Sequence, residues 1–303
     1  ALLGKSGVEA TYEQYLRGTP GRRVYEVDRA GRVVREITSR RVAPKQGDDV
    51  HLSIDLRVQY RTEQALQAAI LNSNTPTQAG AAVVLDPRNG QVKAMASYPT
   101  YDPSLLVGGI SQDLFDELTD PKTKALSNRA VQDAYPAAST FKLASSYAGL
   151  SLGLISPGDY IADGGSVQLC SPPRTTDGCL KKNSGGGAGM GRINLSTALT
   201  RSSDVYFYNL GVKAWRGYDN GKGPLAEDAF QRQIEVLGYG EKTGIDLTAE
   251  TAGRVRTPES NRKLADTLWE RSRDNYGGDE AVWQDPRRWK AGYNADVAIG
   301  QFD

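Results

Sequence analysis

Ser139 and Lys142, three positions apart, are the residues whose types and spacing could do covalent chemistry in this chain. Residues at positions i and i+3 of a helix lie on one face as neighbours. A serine hydroxyl is a poor nucleophile until a base takes its proton, and a partly desolvated lysine can be that base. The pair is therefore a candidate for covalent catalysis.

The histidine content limits which classes of catalytic chemistry are possible. His51 is the only histidine, which excludes hydrolytic or metal chemistry built on several histidines. We expect neither a metal nor a cofactor. The 37 Lys and Arg residues nearly balance the 36 Asp and Glu residues, so charge gives no reason to expect nucleic acid as a partner.

The two cysteines, Cys170 and Cys179, lie in one polar loop that contains proline and glycine. A disulfide between them would imply an oxidising compartment. Two unrelated thiols are the alternative interpretation. Zinc is not expected, because two thiols without nearby histidines fall short of a four-ligand site.

A second Ser-x-x-Lys pattern, Ser260 and Lys263, shows how unspecific the spacing is by itself. Its neighbours Glu259, Arg262 and Asp266 predict a solvated lysine, which stays protonated at neutral pH and cannot act as a base. Lys142 instead lies in an apolar stretch, where burial disfavours the charged form. The alternative for the first pair is a serine in a first helical turn and a lysine extending from a core helix.

The elements that must position the pair are predicted from periodicity and turn residues. Pro136 marks the start of a helix over residues 138–152, and the free N–H groups at that end could bind an oxyanion. The other predicted elements are a helical stretch between residues 4 and 21, strands at 22–28, 32–37 and 51–55, a helix at 56–72, a strand pair within 80–97 and two helical stretches within 194–210. Residues 251–290 are strongly polar and are predicted to be an exposed segment. The fold class is mixed α/β (α+β) with a smaller N-terminal module.

The surroundings of Ser139 resemble a known nucleophile segment. Residues 128–142 read NRAVQDAYPAASTFK, which resembles the segment N-R-A-x-x-x-x-Y-P-P-G-S-T-F-K of penicillin-binding proteins. Ala137 and Ala138 stand where Pro-Gly is common. Residues 200–210, TRSSDVYFYNL, resemble the family's second motif, Ser-x-Asn or Ser-x-Asp, and assign it to Ser202 and Asp204.

The resemblance extends over nearly the whole chain. Residues 4–18 are similar to the end of the pedestal, or dimerisation, domain of class B penicillin-binding proteins. The stretches LSIDLRVQ, VLDPRNG and AMASYPTYDP, at residues 52–59, 84–90 and 94–103, are similar to the opening of their transpeptidase domain. We therefore expect a pedestal part over residues 1–50 and a transpeptidase domain over residues 51–303.

The segment Lys242-Thr-Gly244 looks like the family's third motif, but Ile245 follows it where a hydroxyl is needed to hold the substrate carboxylate. Residues 240–247 and 298–301 instead resemble segments that precede the true motif. We therefore expect the third motif, and the strand that carries it, to lie outside this sequence.

The resemblance implies a transpeptidase fold with an antiparallel sheet flanked by helices. It implies a peptidoglycan D,D-transpeptidase at the extracytoplasmic face of the bacterial cell membrane, with Ser139 as nucleophile, Lys142 as base, Ser202 as proton relay and Asp204 as hydrogen-bond acceptor. Stem peptides, β-lactams and a membrane-bound glycosyltransferase of the elongation machinery are the implied partners. A non-catalytic β-lactam sensor or scaffold, and a D,D-carboxypeptidase or β-lactamase, are the alternatives.

Overall fold

The computed structural model describes residues 3–74, 78–169, 179–273 and 280–301. Contacts divide the chain into two compact units: residues 1–134 with 244–251, and residues 135–243 with 252–303. The proposed Cys170–Cys179 pairing lies outside the described residues, because Cys170 is not among them. The boundary placed after residue 50 stays a prediction.

The first unit begins with two short helices and a β-hairpin. The helices are α1 (Gly7–Thr11) and α2 (Glu13–Leu16), and the strands are β1 (Tyr25–Val27) and β2 (Val33–Glu36), which pair antiparallel. These elements confirm the helical stretch and the two exposed strands predicted there.

The rest of the first unit packs a helix against a second hairpin. Helix α3 (Leu56–Leu71) contacts β3 (Gly80–Leu85) and β4 (Val92–Tyr98), which pair antiparallel, and β4 buries Ala94 and Ala96. The remaining helices of this unit are α4 (Gln112–Thr119) and α5 (Arg129–Gln132).

The prediction of a strand at residues 51–55 is wrong, because these residues form no strand in the structure. The chain there makes isolated bonds to the β4 region, from the Ser53 hydroxyl to the Val92 carbonyl and from the Asp55 N–H to the Lys93 carbonyl. Asp55 then caps α3, since its carboxylate accepts from the Arg57 and Val58 N–H groups. Asp55 therefore marks a helix start where the alternation of side chains indicated a strand.

The second unit surrounds the long buried helix α8 (Asp204–Tyr218), whose Phe207 and Leu210 are almost fully buried. Its other helices are α6 (Lys142–Ser151), α7 (Leu195–Thr200), α9 (Ala229–Glu235), α10 (Pro258–Ser272), α11 (Glu280–Arg287) and α12 (Ala291–Ala298). Its strands are β5 (Ile161–Asp163), β6 (Ser166–Gln168), β7 (Leu180–Lys182) and β8 (Gly191–Ile193).

Strand pairing is antiparallel throughout the described residues. The ladders are β1–β2, β3–β4, β5–β8 and β6–β7, so the strands described here form two-stranded ladders instead of one continuous sheet. Helices α6, α7 and α8 confirm the helices predicted around Ser139 and Ser202.

The prediction that residues 251–290 are an exposed segment is wrong in part. Helix α10 buries Asn261 and Ala265, and Trp289 is only 3% exposed. The polar residues pair with one another, as in the Arg287–Asp266 ion pair at 2.7 Å. The many charged residues of the segment led to the prediction of exposure, although some of its side chains pack inward.

Candidate active site

Ser139 lies in a 3₁₀ turn, Ala138–Phe141, that leads directly into α6. Its side chain is exposed, whereas Phe141 in the same turn is buried. The Ala138 N–H donates to the Gly300 carbonyl at 3.1 Å, just beyond the end of α12. Ala138 has φ +48°, a backbone conformation that favours glycine. This angle explains why glycine is common there in the family that the sequence resembles.

Lys142, the first residue of α6, is 1% exposed and makes three hydrogen bonds. Its Nζ donates to Asp204 Oδ1 at 2.6 Å, to the Ser202 carbonyl at 2.9 Å and to Ser202 Oγ at 3.0 Å. An ammonium group has three donors, so these acceptors satisfy it completely. The expected burial of Lys142 is confirmed.

Ser202 lies in the short loop between α7 and α8, with φ +52°. Its N–H donates to the Leu199 carbonyl at 3.2 Å, and both its carbonyl and its hydroxyl accept from Lys142. Its Oγ is also 3.0 Å from Ser139 Oγ. A continuous hydrogen-bonded path therefore joins Ser139 to Lys142 through Ser202.

Asp204 is the first residue of α8 and is 8% exposed. Its Oδ1 accepts from Lys142, and its Oδ2 accepts from the Ser184 N–H at 2.8 Å. Burial, with the nearby carboxylates of Asp204 and Asp296, raises the pKa of Tyr208 to about 12. The Tyr208 hydroxyl thus stays protonated at neutral pH and is no rival to Lys142 as a base.

The structure brings all four predicted site residues together in the second unit. The second Ser-x-x-Lys pattern lies elsewhere: Ser260 belongs to the capping box of α10, and exposed Lys263 pairs with Glu259 at 2.6 Å. Lys242 is exposed, and Gly244 has φ +80°, typical of a loop residue.

Sequence reasoning missed Ser184 and a buried group behind the site: Asp163, Asn183 and Ser203. The Gly run after Ser184 was a usable signal, because Gly185, Gly186 and Gly187 all have positive φ in a tight turn. Ser203 is the middle residue of the Ser-x-Asp motif. No local pattern in the sequence singled out Asp163 or Asn183.

Two domain families match this chain. The penicillin binding protein transpeptidase domain matches residues 80–268, and the penicillin-binding protein dimerisation domain matches residues 1–52. The first match covers more than half of the chain and includes all four predicted site residues.

The chain belongs to the penicillin-binding protein transpeptidase family.

Known penicillin-binding proteins resemble it over most of its length. The peptidoglycan D,D-transpeptidase MrdA of Escherichia coli (strain K12) is 35% identical over 267 residues, which are 88% of this chain and 38% of the relative. The crystal structure of Pseudomonas aeruginosa PBP2 in complex with WCK 5153 is 29% identical, with a TM-score of 0.68, over 99% of this chain and 53% of that one.

A third similar chain comes from a structure that describes the structural coordination of polymerization and crosslinking by a peptidoglycan synthase complex. It is 30% identical with a TM-score of 0.69, over 97% of this chain and 45% of that one. The chain thus spans between about two fifths and half of the length of these relatives. Their resemblance bears out the expected transpeptidase fold.

Proposed function

We propose that this chain carries the catalytic centre of a peptidoglycan D,D-transpeptidase, which cross-links stem peptides through a Ser139 acyl-enzyme during cell-wall synthesis. The observation that carries the proposal is the hydrogen-bonded path Ser139–Ser202–Lys142–Asp204, with an exposed hydroxyl at one end and a buried ion pair at the other. Membership of the transpeptidase family and the similarity to MrdA support it.

Acylation begins when Lys142 gives one proton to Asp204 along their 2.6 Å hydrogen bond. Ser139 Oγ then forms a bond to the carbonyl carbon of the penultimate D-Ala. Its proton passes to Ser202 Oγ while Ser202 passes its own proton to the Lys142 amine. When the C–N bond breaks, the terminal D-Ala nitrogen takes a proton back through Ser202, which leaves the acyl-enzyme.

Deacylation uses the same path in reverse. The amine of a neighbouring stem peptide attacks the acyl carbon and loses a proton to Ser202 Oγ, while Ser202 passes its own proton to the Lys142 amine. As the C–O bond breaks, Lys142 returns a proton to Ser139 Oγ through Ser202, and Asp204 then returns its proton to Lys142. β-Lactams present a strained amide to Ser139, and they block the site because no amine resolves their acyl-enzyme. No part of this scheme needs a metal or a cofactor.

The relatives also support a proposal for the partners and the location of the whole protein. We propose that the whole protein works at the extracytoplasmic face of the bacterial cell membrane with a membrane-bound glycosyltransferase of the elongation machinery, and so contributes to cell shape. The relative from the peptidoglycan synthase complex supports the coupling of polymerization with crosslinking. None of the helices within the described residues combines the length and apolar character needed to cross a membrane.

The test is intact-mass analysis and peptide mapping after incubation of the full natural protein with benzylpenicillin. We expect one adduct on the peptide that contains Ser139, its loss in Ser139→Ala and its retention in Ser260→Ala, the matched variant of the second Ser-x-x-Lys pattern. A folded protein that forms no adduct, or an adduct that survives Ser139→Ala, would contradict the proposal and favour a scaffold role.

A second assay separates the enzyme classes. A transpeptidase is expected to release the terminal D-Ala and to join an added amine to the stem peptide in its place. Release of D-Ala with water alone would instead indicate a carboxypeptidase, and hydrolysis of benzylpenicillin with turnover would indicate a β-lactamase.

A further inference from the structure

Behind the Lys142–Asp204 pair lies a buried polar cluster of Asp163, Asn183 and Ser203, which are at most 4% exposed. The Ser203 hydroxyl donates to Asp163 Oδ2 at 2.6 Å. The Asn183 amide donates to both Asp163 oxygens, at 2.9 and 3.0 Å. The Gly165 N–H completes the shell of the carboxylate at 2.8 Å.

The cluster joins three separate parts of the second unit. Asp163 ends β5, Asn183 follows β7, and Ser203 caps α8 by accepting from the Tyr206 N–H at 3.0 Å. A buried carboxylate is costly unless hydrogen bonds compensate for lost water. Burial alone would raise the pKa of Asp163, but the bonds from Ser203, Asn183 and backbone N–H groups outweigh it and hold that pKa below its usual value. Asp163 is therefore an anion that gathers these parts around itself.

The cluster contacts the chain on both sides of Asp204. Ser203, a member of the cluster, precedes Asp204. Val205 follows Asp204, and its N–H donates to the side-chain oxygen of Asn183, Oδ1, at 2.9 Å. Asn183 also precedes Ser184, whose N–H holds Asp204 Oδ2. The cluster thus contacts the backbone on both sides of Asp204 and adjoins the residue whose N–H binds its Oδ2.

We infer that Asp163 and Asn183 are positioning residues that hold Asp204 on Lys142 through Ser203, Val205 and Ser184. The inference rests on the proposed function, since its kinetic consequence is the rate of Ser139 acylation. Neither residue needs to touch the β-lactam for this effect. Their loss should therefore slow the acylation step and leave the preceding non-covalent affinity for the β-lactam unchanged.

The first test is stopped-flow acylation of the full natural protein with a fluorescent penicillin, which separates the rate constant of acylation from the non-covalent dissociation constant. We expect Asp163→Asn and Asn183→Ala to lower the rate constant by up to about 100-fold, with the dissociation constant changed less than about twofold. The control is Asn261→Ala. Asn261 is an equally buried asparagine in α10 that accepts from Arg256 and donates to the Pro286 carbonyl, at 2.8 and 2.9 Å.

Asn261→Ala should lower the melting temperature about as much as Asp163→Asn and Asn183→Ala do, and should change the acylation rate constant less than about twofold. Equal slowing in all three variants would show that lost stability explains the effect, and would overturn the inference. Unchanged acylation in Asp163→Asn and Asn183→Ala would overturn it as well.

Hydrogen exchange at the Ser184 amide gives a readout that does not depend on acylation. We expect faster exchange at this amide in Asp163→Asn and Asn183→Ala, and unchanged exchange in Asn261→Ala. If the unaltered protein is not acylated, the proposed function fails, and this amide still decides the positioning role. Unchanged Ser184 protection in both cluster variants would refute that role.

Discussion

At the scale of single residues, Lys142 is fixed in place by burial and by three hydrogen bonds. Its Nζ lies 2.6 Å from Asp204 Oδ1 and 3.0 Å from Ser202 Oγ, so it is within reach of a proton exchange with Ser202. The lysine of the second pattern, Lys263, is 76% exposed in its side chain and has no such environment.

Lys142→Ala is expected to lower the rate constant of Ser139 acylation by about 10²- to 10⁴-fold, the usual contribution of a general base. Lys263→Ala should leave it unchanged. The measurement is labelling by a fluorescent penicillin over time. Similar rates in the two variants would mean that Lys142 serves packing alone.

Ala138 carries backbone strain next to the nucleophile, because its φ of +48° is unfavourable for a residue with a Cβ. Ala138→Gly is expected to raise the free energy of unfolding by about 1 kcal/mol. The neighbouring Ala137 has φ −68° and ψ −21°, where glycine brings only an entropic cost. Ala137→Gly should therefore lower the same free energy by about 0.5–1 kcal/mol. Urea unfolding measures both, and equal signs would contradict the strain argument.

At the scale of elements, the end of α12 holds the nucleophile turn. The Gly300 carbonyl accepts from the Ala138 N–H, and the Ser145 hydroxyl of α6 donates to the Ala298 carbonyl at 2.8 Å. Gly300 has φ +70°, and a Cβ there would lie 2.4 Å from the Ala138 carbonyl oxygen and 2.6 Å from Phe141 Cβ. The close approach of the two segments thus requires glycine.

Gly300→Ala is expected to lower the free energy of unfolding by about 2 kcal/mol or more, and to slow Ser139 acylation by displacing the turn. Gly292→Ala is the matched control in α12, since its Cβ would meet no atom closer than Leu169 Cδ1 at 4.0 Å. That variant should be neutral or slightly stabilising, because alanine favours the helix. Thermal unfolding and penicillin labelling check both effects. If Gly300→Ala changed neither stability nor acylation, the end of α12 would not hold the turn that carries Ser139.

At the scale of the whole molecule, the distribution of titratable groups sets how stability depends on pH. Histidine is the side chain whose ordinary titration falls between pH 5 and 8, and the chain has one. At acid pH the protonation of carboxylates determines how stability changes. Hydrogen bonds hold the pKa of several carboxyls below the usual range: Asp28, Asp55, Asp86, Asp102, Asp159 and Glu259. Asp163 belongs with them despite its burial, whereas burial raises the pKa of Glu235.

A carboxyl whose pKa is lower in the folded than in the unfolded protein adds stability above its unfolded pKa of about 4, and that stability is lost as the pH falls through the folded pKa. We therefore expect the melting temperature to be nearly constant between pH 6 and 8 and to fall progressively below about pH 4. A steep change between pH 6 and 8 would reveal a buried group that titrates near neutrality.

Local sequence information nominated the chemistry and located most helices. The single histidine and the Ser139–Lys142 spacing made a Ser–Lys nucleophile a candidate, and the resemblance of residues 128–142 and 200–210 to penicillin-binding proteins favoured acyl transfer. Helical periodicity located α3, α6 and α8, because periodicity is a local property of the chain. The same reasoning erred at Asp55, where a cap was taken for part of a strand, and at α10, where charge concealed buried residues.

Only the tertiary structure decided how the site is assembled. Ser139 and Ser202, as well as Lys142 and Asp204, are more than sixty positions apart. The path from Ser139 to Lys142 through Ser202, the Ser184 N–H on Asp204 and the anionic Asp163 all arise where β5, the glycine turn and the α7–α8 loop pack together. A hydrogen bond depends on distance and angle in space, so residue type and spacing could nominate its partners but could not establish the bonds.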